Sequence, residues 1–261
     1  MPSIPIRDID IHYEITGEGE PLLLIHGLGS SSRDWAPQVH YFSKLFQVVT
    51  FDVRGHRQSS KPPGPYSILQ FTEDTAELIN ALDIGPAHVA GISMGGMIAF
   101  QLTLIKPELV KSLVVINSGP DFTPKSLKQR LAIYQRFLIV RILGMRAMGK
   151  VLAKRLFPKP NQDNIRSIFI ERWAENDKRA YLSSMKAIFS WNIDDQLSKI
   201  KCPVLILAAD EDYTPVSYKE EYTKKIPNAE LVVISDSRHA IPVEHPDKFN
   251  QVLMNFLSKQ V

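Results

Sequence analysis

The sequence predicts an α/β protein: a mostly parallel central sheet, helices on both of its faces, and an inserted helical cap. Three observations predict it. Apolar runs of strand length alternate with helical patterns over residues 1–119 and again over 196–261, the rhythm of strand–helix–strand units. Most of those runs are apolar at consecutive positions, as strands covered on both faces must be. Between the two stretches the strands stop, and residues 121–195 carry 15 Lys and Arg against 7 Asp and Glu, whereas the rest of the chain is acidic in balance. The expected division is a core built from 1–119 and 196–261, with 120–195 inserted as a helical cap or lid.

Residues 9–15 alternate apolar and polar, the pattern of a half-buried antiparallel strand. Residues 22–25 are uninterruptedly apolar and end in His26-Gly27-Leu28-Gly29-Ser30. Asp34 is placed to cap a helix running through Trp35 towards Phe42. A second buried strand covers 47–51 and ends at Asp52; the Gly-, Pro- and Ser-rich stretch 54–66 is loop. Phe71, Thr75, Leu78, Ile79 and Leu82 share one side of a helix. An apolar run reaches Gly91, a helix extends from Met94 to about Ile105 before Pro107, and 110–117 is strand. In the cap segment, apolar residues recur every three or four positions from Leu127 through Leu131, Tyr134, Leu138 and Ile142 to Leu156. They define a stripe, and Lys128, Arg130, Arg136 and Lys150 fall on the other side. Gly144 and Gly149 each weaken a helix by roughly 1 kcal/mol relative to alanine, enough to divide this run in two. Helical patterns at 165–174 and 179–189 follow. A buried strand at 203–209, a helix at 217–225, a strand at 229–234 and a closing helix at about 246–257 complete the chain.

In open parallel sheets, ligands gather beyond the carboxyl ends of the strands. That rule puts three chemically useful segments on one rim. The first is Gly91-Ile92-Ser93-Met94-Gly95, where a strand turns into a helix with almost no connecting chain. Small residues on both sides let strand and helix approach closely, so the Ser93 hydroxyl stands clear of the sheet and the Met94 N–H opens towards the same space. The second is the acidic turn Asp210-Glu211-Asp212, of which Asp212 lies deepest in the turn; one of the others is free to cap it. The third is the segment ending in His239, whose neutral imidazole can take a proton near pH 7. A serine nucleophile needs a base, and the base a third group to orient it. Ser93, His239 and Asp212 supply that set. The loop after the 22–25 strand is positioned to offer the Leu28 N–H beside that of Met94 as an oxyanion hole, with His26 tying the loop down by hydrogen bonds. Trp35, Phe122, Trp173 and Trp191 are candidate pocket-lining residues for substrate binding, with core packing the competing use of each.

Taken in order, His26-Gly27, Asp52-Val53-Arg54-Gly55-His56, Gly91-Ile92-Ser93-Met94-Gly95, Asp212, and His239 with Glu244 and Pro246 downstream resemble the α/β-hydrolase fold family over essentially the whole chain. The resemblance implies that Ser93, Asp212 and His239 form a catalytic triad, that Leu28 and Met94 form the oxyanion hole, and that the helical insertion is the family's cap. Within the family, 64–68 and 93–98 are similar to enol-lactone hydrolases and small carboxylesterases. The implied activity is hydrolysis of a small or medium acyl ester through an acyl-enzyme, with lactone hydrolysis as the alternative; carbon–carbon bond hydrolases and perhydrolases share the triad. One departure stands out: Arg57 occupies a position where the family usually has glycine.

Composition narrows the field further. Hydrophobic residues at 44% and charged residues at 23% are those of a globular protein. No run approaches eighteen apolar residues, so no membrane-spanning helix is expected. The first residues show neither a basic start nor an apolar stretch, and the single Cys202 permits no internal disulfide, which together point to a cytoplasmic setting. No metal-ligand cluster, phosphate-cradling loop or dinucleotide fingerprint is present, so no metal and no cofactor are expected. The expected partner is a small-molecule ester or lactone, with no nucleic acid and no stable membrane insertion, in a monomer or homodimer.

Overall fold

The computed structural model describes residues 2–260. Eight strands form one sheet: β1 (Ser3–Ile6), β2 (Ile9–Thr16), β3 (Glu20–Ile25), β4 (Phe46–Phe51), β5 (Ala87–Ile92), β6 (Val110–Ile116), β7 (Val204–Ala209) and β8 (Ala229–Ile234). Their order across the sheet is β1-β2-β4-β3-β5-β6-β7-β8. Strands β1 and β2 are antiparallel, as is the β2–β4 pair, and every later pairing is parallel. Strand β1 escaped the sequence reading because four residues are too few for a period to show. Its Pro5 is tolerated because β1 is an edge strand.

The doubly apolar strands face two separate cores. Leu22 and Leu24 of β3 point into one, with Phe42 of α1 (Ala36–Phe42) and Phe249, Leu253 and Phe256 of the closing helix. Leu23 and Ile25 point into the other, with Phe71 and Ile79 of α2 (Ile68–Ala81) and Met97 and Phe100 of α3 (Met94–Ile105). Alternate residues of one strand thus fill opposite layers, as the two-residue period of a pleated strand requires. The carboxyl ends of β3, β5, β7 and β8 share one rim, and the chain above that rim is the helical excursion.

That excursion contains α4 (Leu127–Leu156), α5 (Asp163–Ala174) and α6 (Lys178–Phe189). Its two stems are pinned together: Asp121 bridges Asn192, and the Ile193 N–H donates to the Pro120 carbonyl at 2.9 Å. The chain then returns through β7, α7 (Val216–Thr223), β8, a single turn α8 (Ile241–Glu244) and α9 (Pro246–Leu257).

Two local expectations are corrected. Asp34 caps no helix. It lies inside a 3-10 turn, Ser32–Trp35, and its carboxylate binds Arg172 of α5 and Ser30 instead. The larger correction concerns α4. Its helix breaks at Gly144, which adopts φ 81 and ψ −179, a conformation open to glycine alone. The break shifts the helical phase. Past it, Met145, Met148 and Leu156 are buried as the stripe anticipates; before it, Leu127 is 82% and Ile142 68% exposed. The inward face of the first half is instead Ile133, Arg136, Phe137 and Val140. Arg136, expected in solvent, therefore turns towards the core.

Candidate active site

Ser93 sits at the junction of β5 and α3 with φ 55 and ψ −117, in the left-handed region that L-residues rarely occupy. The surroundings impose this conformation. The Ser93 N–H donates to the Ile116 carbonyl at 3.0 Å, and the Ser118 hydroxyl donates to the Ser93 carbonyl at 2.7 Å. A Cβ on Gly91 would collide with the Gly95 carbonyl, and one on Gly95 with the Ile25 and His26 carbonyls, so the strand-to-helix turn closes only with glycine at both places. Met94 opens α3, where the first N–H groups of a helix have no intrahelical acceptor. Gly27 and Leu28 lie opposite, close enough that a Cβ on Gly27 would touch Ser93.

The loop holding Leu28 is fixed by its neighbour. His26 is fully buried; its Nε2 accepts the Val53 N–H at 3.0 Å, so its Nδ1 carries the proton donated to the Gly27 carbonyl at 2.8 Å. Burial pushes its pKa down, consistent with a neutral structural ring. His56, next to it, is likewise buried and pushed down to about 3, first by burial and then by His26. Neither histidine is placed to act on a ligand as a base. Arg57 has φ 35, so the backbone there is left-handed although the residue is not glycine. Asp52 steadies this turn by accepting the Ser32 N–H at 2.9 Å and the Gln58 N–H at 3.1 Å.

Beyond β7 and β8 the three acids divide their tasks. Asp210 accepts the Ser237 and Asp236 N–H groups at 3.1 and 3.0 Å and so shapes the loop that presents His239. Glu211 pairs with Arg238 at 2.5 Å. Asp212 reaches His239 itself, its Oδ1 lying 2.8 Å from Nδ1. Asn117, with φ 42 at the end of β6, accepts the Ala209 N–H at 2.9 Å and donates to the His239 carbonyl at 2.9 Å, joining both strand ends.

Three residues around this group were not read from the sequence. Asn117 is one. Lys219 is another: fully buried on α7, its ammonium donates to Asp212 Oδ2, the Thr214 carbonyl and Thr214 Oγ1, each at 2.8 Å. Burial raises the Asp212 pKa, but the His239 ring and the Lys219 ammonium outweigh it and hold the carboxyl far below its usual range. The third is Tyr213. Its ring stacks on His239 with centroids 4.2 Å apart, and its hydroxyl lies 2.5 Å from His239 Nε2. Among the described residues Ser93 and His239 share no direct hydrogen bond; His239 Nε2 is taken by the phenol instead. Nothing in the spacing of the turn could have announced where that side chain points.

Ser93, His239, Tyr213 and Leu28 open on one cavity of about 550 Å³ between the sheet rim and the cap. Trp35, Phe122 and Trp173 line it. Trp191 does not: it is buried below the cap with its indole N–H donated to Gln101 at 2.8 Å, so its aromatic surface is used in packing. No group of three or more metal-ligating side chains occurs among the described residues, and no described helix is long and apolar enough to cross a membrane.

Comparison with known proteins agrees with this architecture. The family model for the alpha/beta hydrolase fold matches residues 20–143. The chain is 32% identical over 252 residues to the (E)-2-((N-methylformamido)methylene)succinate hydrolase of Acinetobacter baylyi, covering 94% of this chain and 93% of that one. It is 30% identical over 264 residues, 98% of each chain, to RutD of Azorhizobium caulinodans, which bears carbamate hydrolase as a provisional name. Among solved structures it resembles the enol-lactonase from Burkholderia xenovorans LB400, with a TM-score of 0.92, 27% identity, and coverage of 98% of this chain and all of the other. With a sheet of this order, a strained serine at the β5–α3 junction and relatives matching it nearly end to end, the chain belongs to the α/β-hydrolase fold family of hydrolases.

Proposed function

We propose that the chain is a serine hydrolase of carboxylic esters, acting through Ser93, His239 and Asp212. The observation that carries the reading is the 2.8 Å Asp212–His239 contact, which leaves the Nε2 of His239 facing the cavity into which Ser93 projects. With Nδ1–H donated to Asp212, Nε2 is the basic nitrogen. Tyr213 must first turn its hydroxyl away from Nε2, for which its 45% exposure into the cavity leaves room. Ser93 Oγ then attacks the acyl carbon while its proton passes to Nε2. The carbonyl electron pair moves to oxygen, and the N–H groups of Leu28 and Met94 stabilise that oxyanion. Collapse expels the alcohol, which takes the proton from Nε2 and leaves an acyl-serine. Water, deprotonated by the same nitrogen, releases the acid and restores Ser93.

Lactone hydrolysis is the second reading, favoured by the similarity to the Burkholderia enol-lactonase. It differs only in that the expelled alkoxide stays attached to the acyl group. The Acinetobacter relative, whose name describes a formamido-substituted succinate, adds amide-like bonds to the panel worth assaying. Hydrolysis of phenyl esters, lactones and N-acyl enamines by the wild type and Ser93→Ala tests the proposal, together with mass-spectrometric mapping of a fluorophosphonate adduct. Turnover on at least one substrate, lost in Ser93→Ala, and an adduct on Ser93 are expected. Equal turnover by the two proteins, or an adduct elsewhere, refutes it.

A further inference from the structure

The cavity is lined mainly by apolar side chains, yet four arginines reach it: Arg33, Arg136, Arg155 and Arg172. Two are already neutralised. Arg172 binds Asp34, and Arg33 pairs with Glu175 at 2.5 Å. The other two pair with no carboxylate among the described residues. Arg136 lies on the inward face of α4 between Ile133 and Phe137, held by the hydroxyl of buried Tyr181, to which its Nε donates at 2.9 Å. That phenol is a neutral partner, since burial pushes its pKa up. Arg155, on the far side of the Gly144 break, stacks its guanidinium 5.1 Å from the centre of the Tyr213 ring and forms no ion pair among the described residues. Both arginines line the cavity that Ser93, His239 and Tyr213 open on, and Arg155 stacks on the phenol that touches His239.

Arg155 keeps an exposed edge and Arg136 is half-buried, so neither charge is lost to burial; each is left without a carboxylate at the wall of an apolar cavity, where an anion meets it with less screening than in bulk water. Guanidinium also matches one anion in shape, since its planar fork fits a carboxylate with two parallel hydrogen bonds. We propose that Arg136 and Arg155 form a carboxylate subsite in the cap, so that the substrate is an ester or lactone bearing a free carboxylate a few bonds from the scissile carbonyl. The proposal rests on the hydrolase reading above and specifies its substrate class. It also assigns a use to the kink: without Gly144 the two arginines, nineteen positions apart on one helix, would not be held in this relation.

Monophenyl glutarate and phenyl pentanoate differ only in a terminal carboxylate against a methyl group, so their kcat/KM ratio isolates the subsite. Arg155→Gln and Arg136→Gln are each expected to lower that ratio by about ten- to hundredfold, the worth of a hydrogen bond to a charged group. Arg130→Gln, on the outer cap surface, leaves the ratio unchanged, which separates a subsite from general attraction by the basic cap. Because Arg136 also holds Tyr181, Arg136→Lys accompanies it to preserve the charge. An activity-independent arm titrates glutarate calorimetrically into Ser93→Ala: binding is expected, and Arg155→Gln abolishes it. Arginine-dependent glutarate binding without turnover of any ester would uphold the subsite and refute the reaction. Turnover of both esters with an unchanged ratio in the two Gln variants, or no glutarate binding, would overturn the subsite while leaving the reaction standing.

Discussion

At the scale of single residues, Tyr213 and Lys219 set the working state of His239 from opposite ends. Burial and the Asp212 carboxylate push the Tyr213 phenol above its ordinary pKa, so it stays a neutral donor to Nε2. That hydrogen bond must break before Nε2 can accept the Ser93 proton. A net hydrogen bond is worth about 1 kcal/mol, so Tyr213→Phe should speed fluorophosphonate labelling of Ser93 about fivefold; a loss of two orders of magnitude would instead place the phenol on the proton's path. On the other side, Lys219 is as buried as its partner. Replacing it with methionine leaves Asp212 Oδ2 without its cation, and breaking such a buried pair costs about 3–5 kcal/mol, to be read from urea unfolding. The pH dependence has a definite sign. A depressed carboxyl stabilises the fold above its unfolded pKa, and that contribution is lost as pH falls through the folded value, well below the usual carboxylate range. Lys219→Met removes the ammonium that, together with the His239 ring, depresses Asp212, so its acid-unfolding midpoint should move to higher pH. An unmoved midpoint would show that His239 alone holds the carboxyl down.

At the scale of elements, two glycines do opposite things. Gly95 brings helix α3 against β3, and the Cβ of Gly95→Ala would meet backbone carbonyls that cannot step aside. Overpacking of this kind costs about 1–3 kcal/mol. The same displacement carries the Met94 N–H away from Leu28, so thermal stability and turnover should fall together; retention of both would mean that the elbow tolerates side chains. Gly144 has open space around it, and its constraint is φ alone. In Gly144→Ala the strained conformation costs about 1–3 kcal/mol, and the cheapest escape is a continuous helix that rotates Arg136 out of the cavity. Helix content measured by circular dichroism should hold or rise while glutarate affinity falls. This element shows where sequence reading stopped. Apolar recurrence revealed the helix and the glycines revealed a division, but the direction in which a break re-phases the first half depends on a torsion angle that no periodicity encodes.

At the scale of the molecule, legibility follows the same boundary. Strand ends were readable because long apolar runs have few places to begin and stop, and topology then carried Ser93, Asp212 and His239 to one rim. Lys219 was invisible because a lysine seven residues past an acid looks like any solvated helix residue, and Trp191 stayed open between pocket and core because aromaticity does not say which side of a cap it packs on. What the whole molecule adds is the fastening of cap to core at both lips of the cavity. On one lip Arg172 binds Asp34, Arg33 binds Glu175, and the Asn176 amide donates to the Gly29 carbonyl at 2.8 Å. On the other, Lys159 pairs with Asp236 at 2.7 Å, and the Gln162 amide donates to Glu244 at 2.9 Å, whose second oxygen accepts the Arg238 N–H beside His239. These are mostly exposed ion pairs, each worth about 0–1 kcal/mol and weakened by salt, whereas the sheet beneath is held by buried apolar contacts that salt does not loosen. Cap side chains such as Val140, Met145, Trp173 and Tyr181 also pack into the core shared with β3 and α3, so salt should loosen the lips while the apolar packing beneath holds. Amide exchange in α4, α5 and α6 is expected to quicken on going from low salt to about 1 M, with β3, β5 and β6 unchanged. If cap and sheet amides respond together, the cap opens only by unfolding the molecule, and substrate must enter through a gap that the fastened lips leave free.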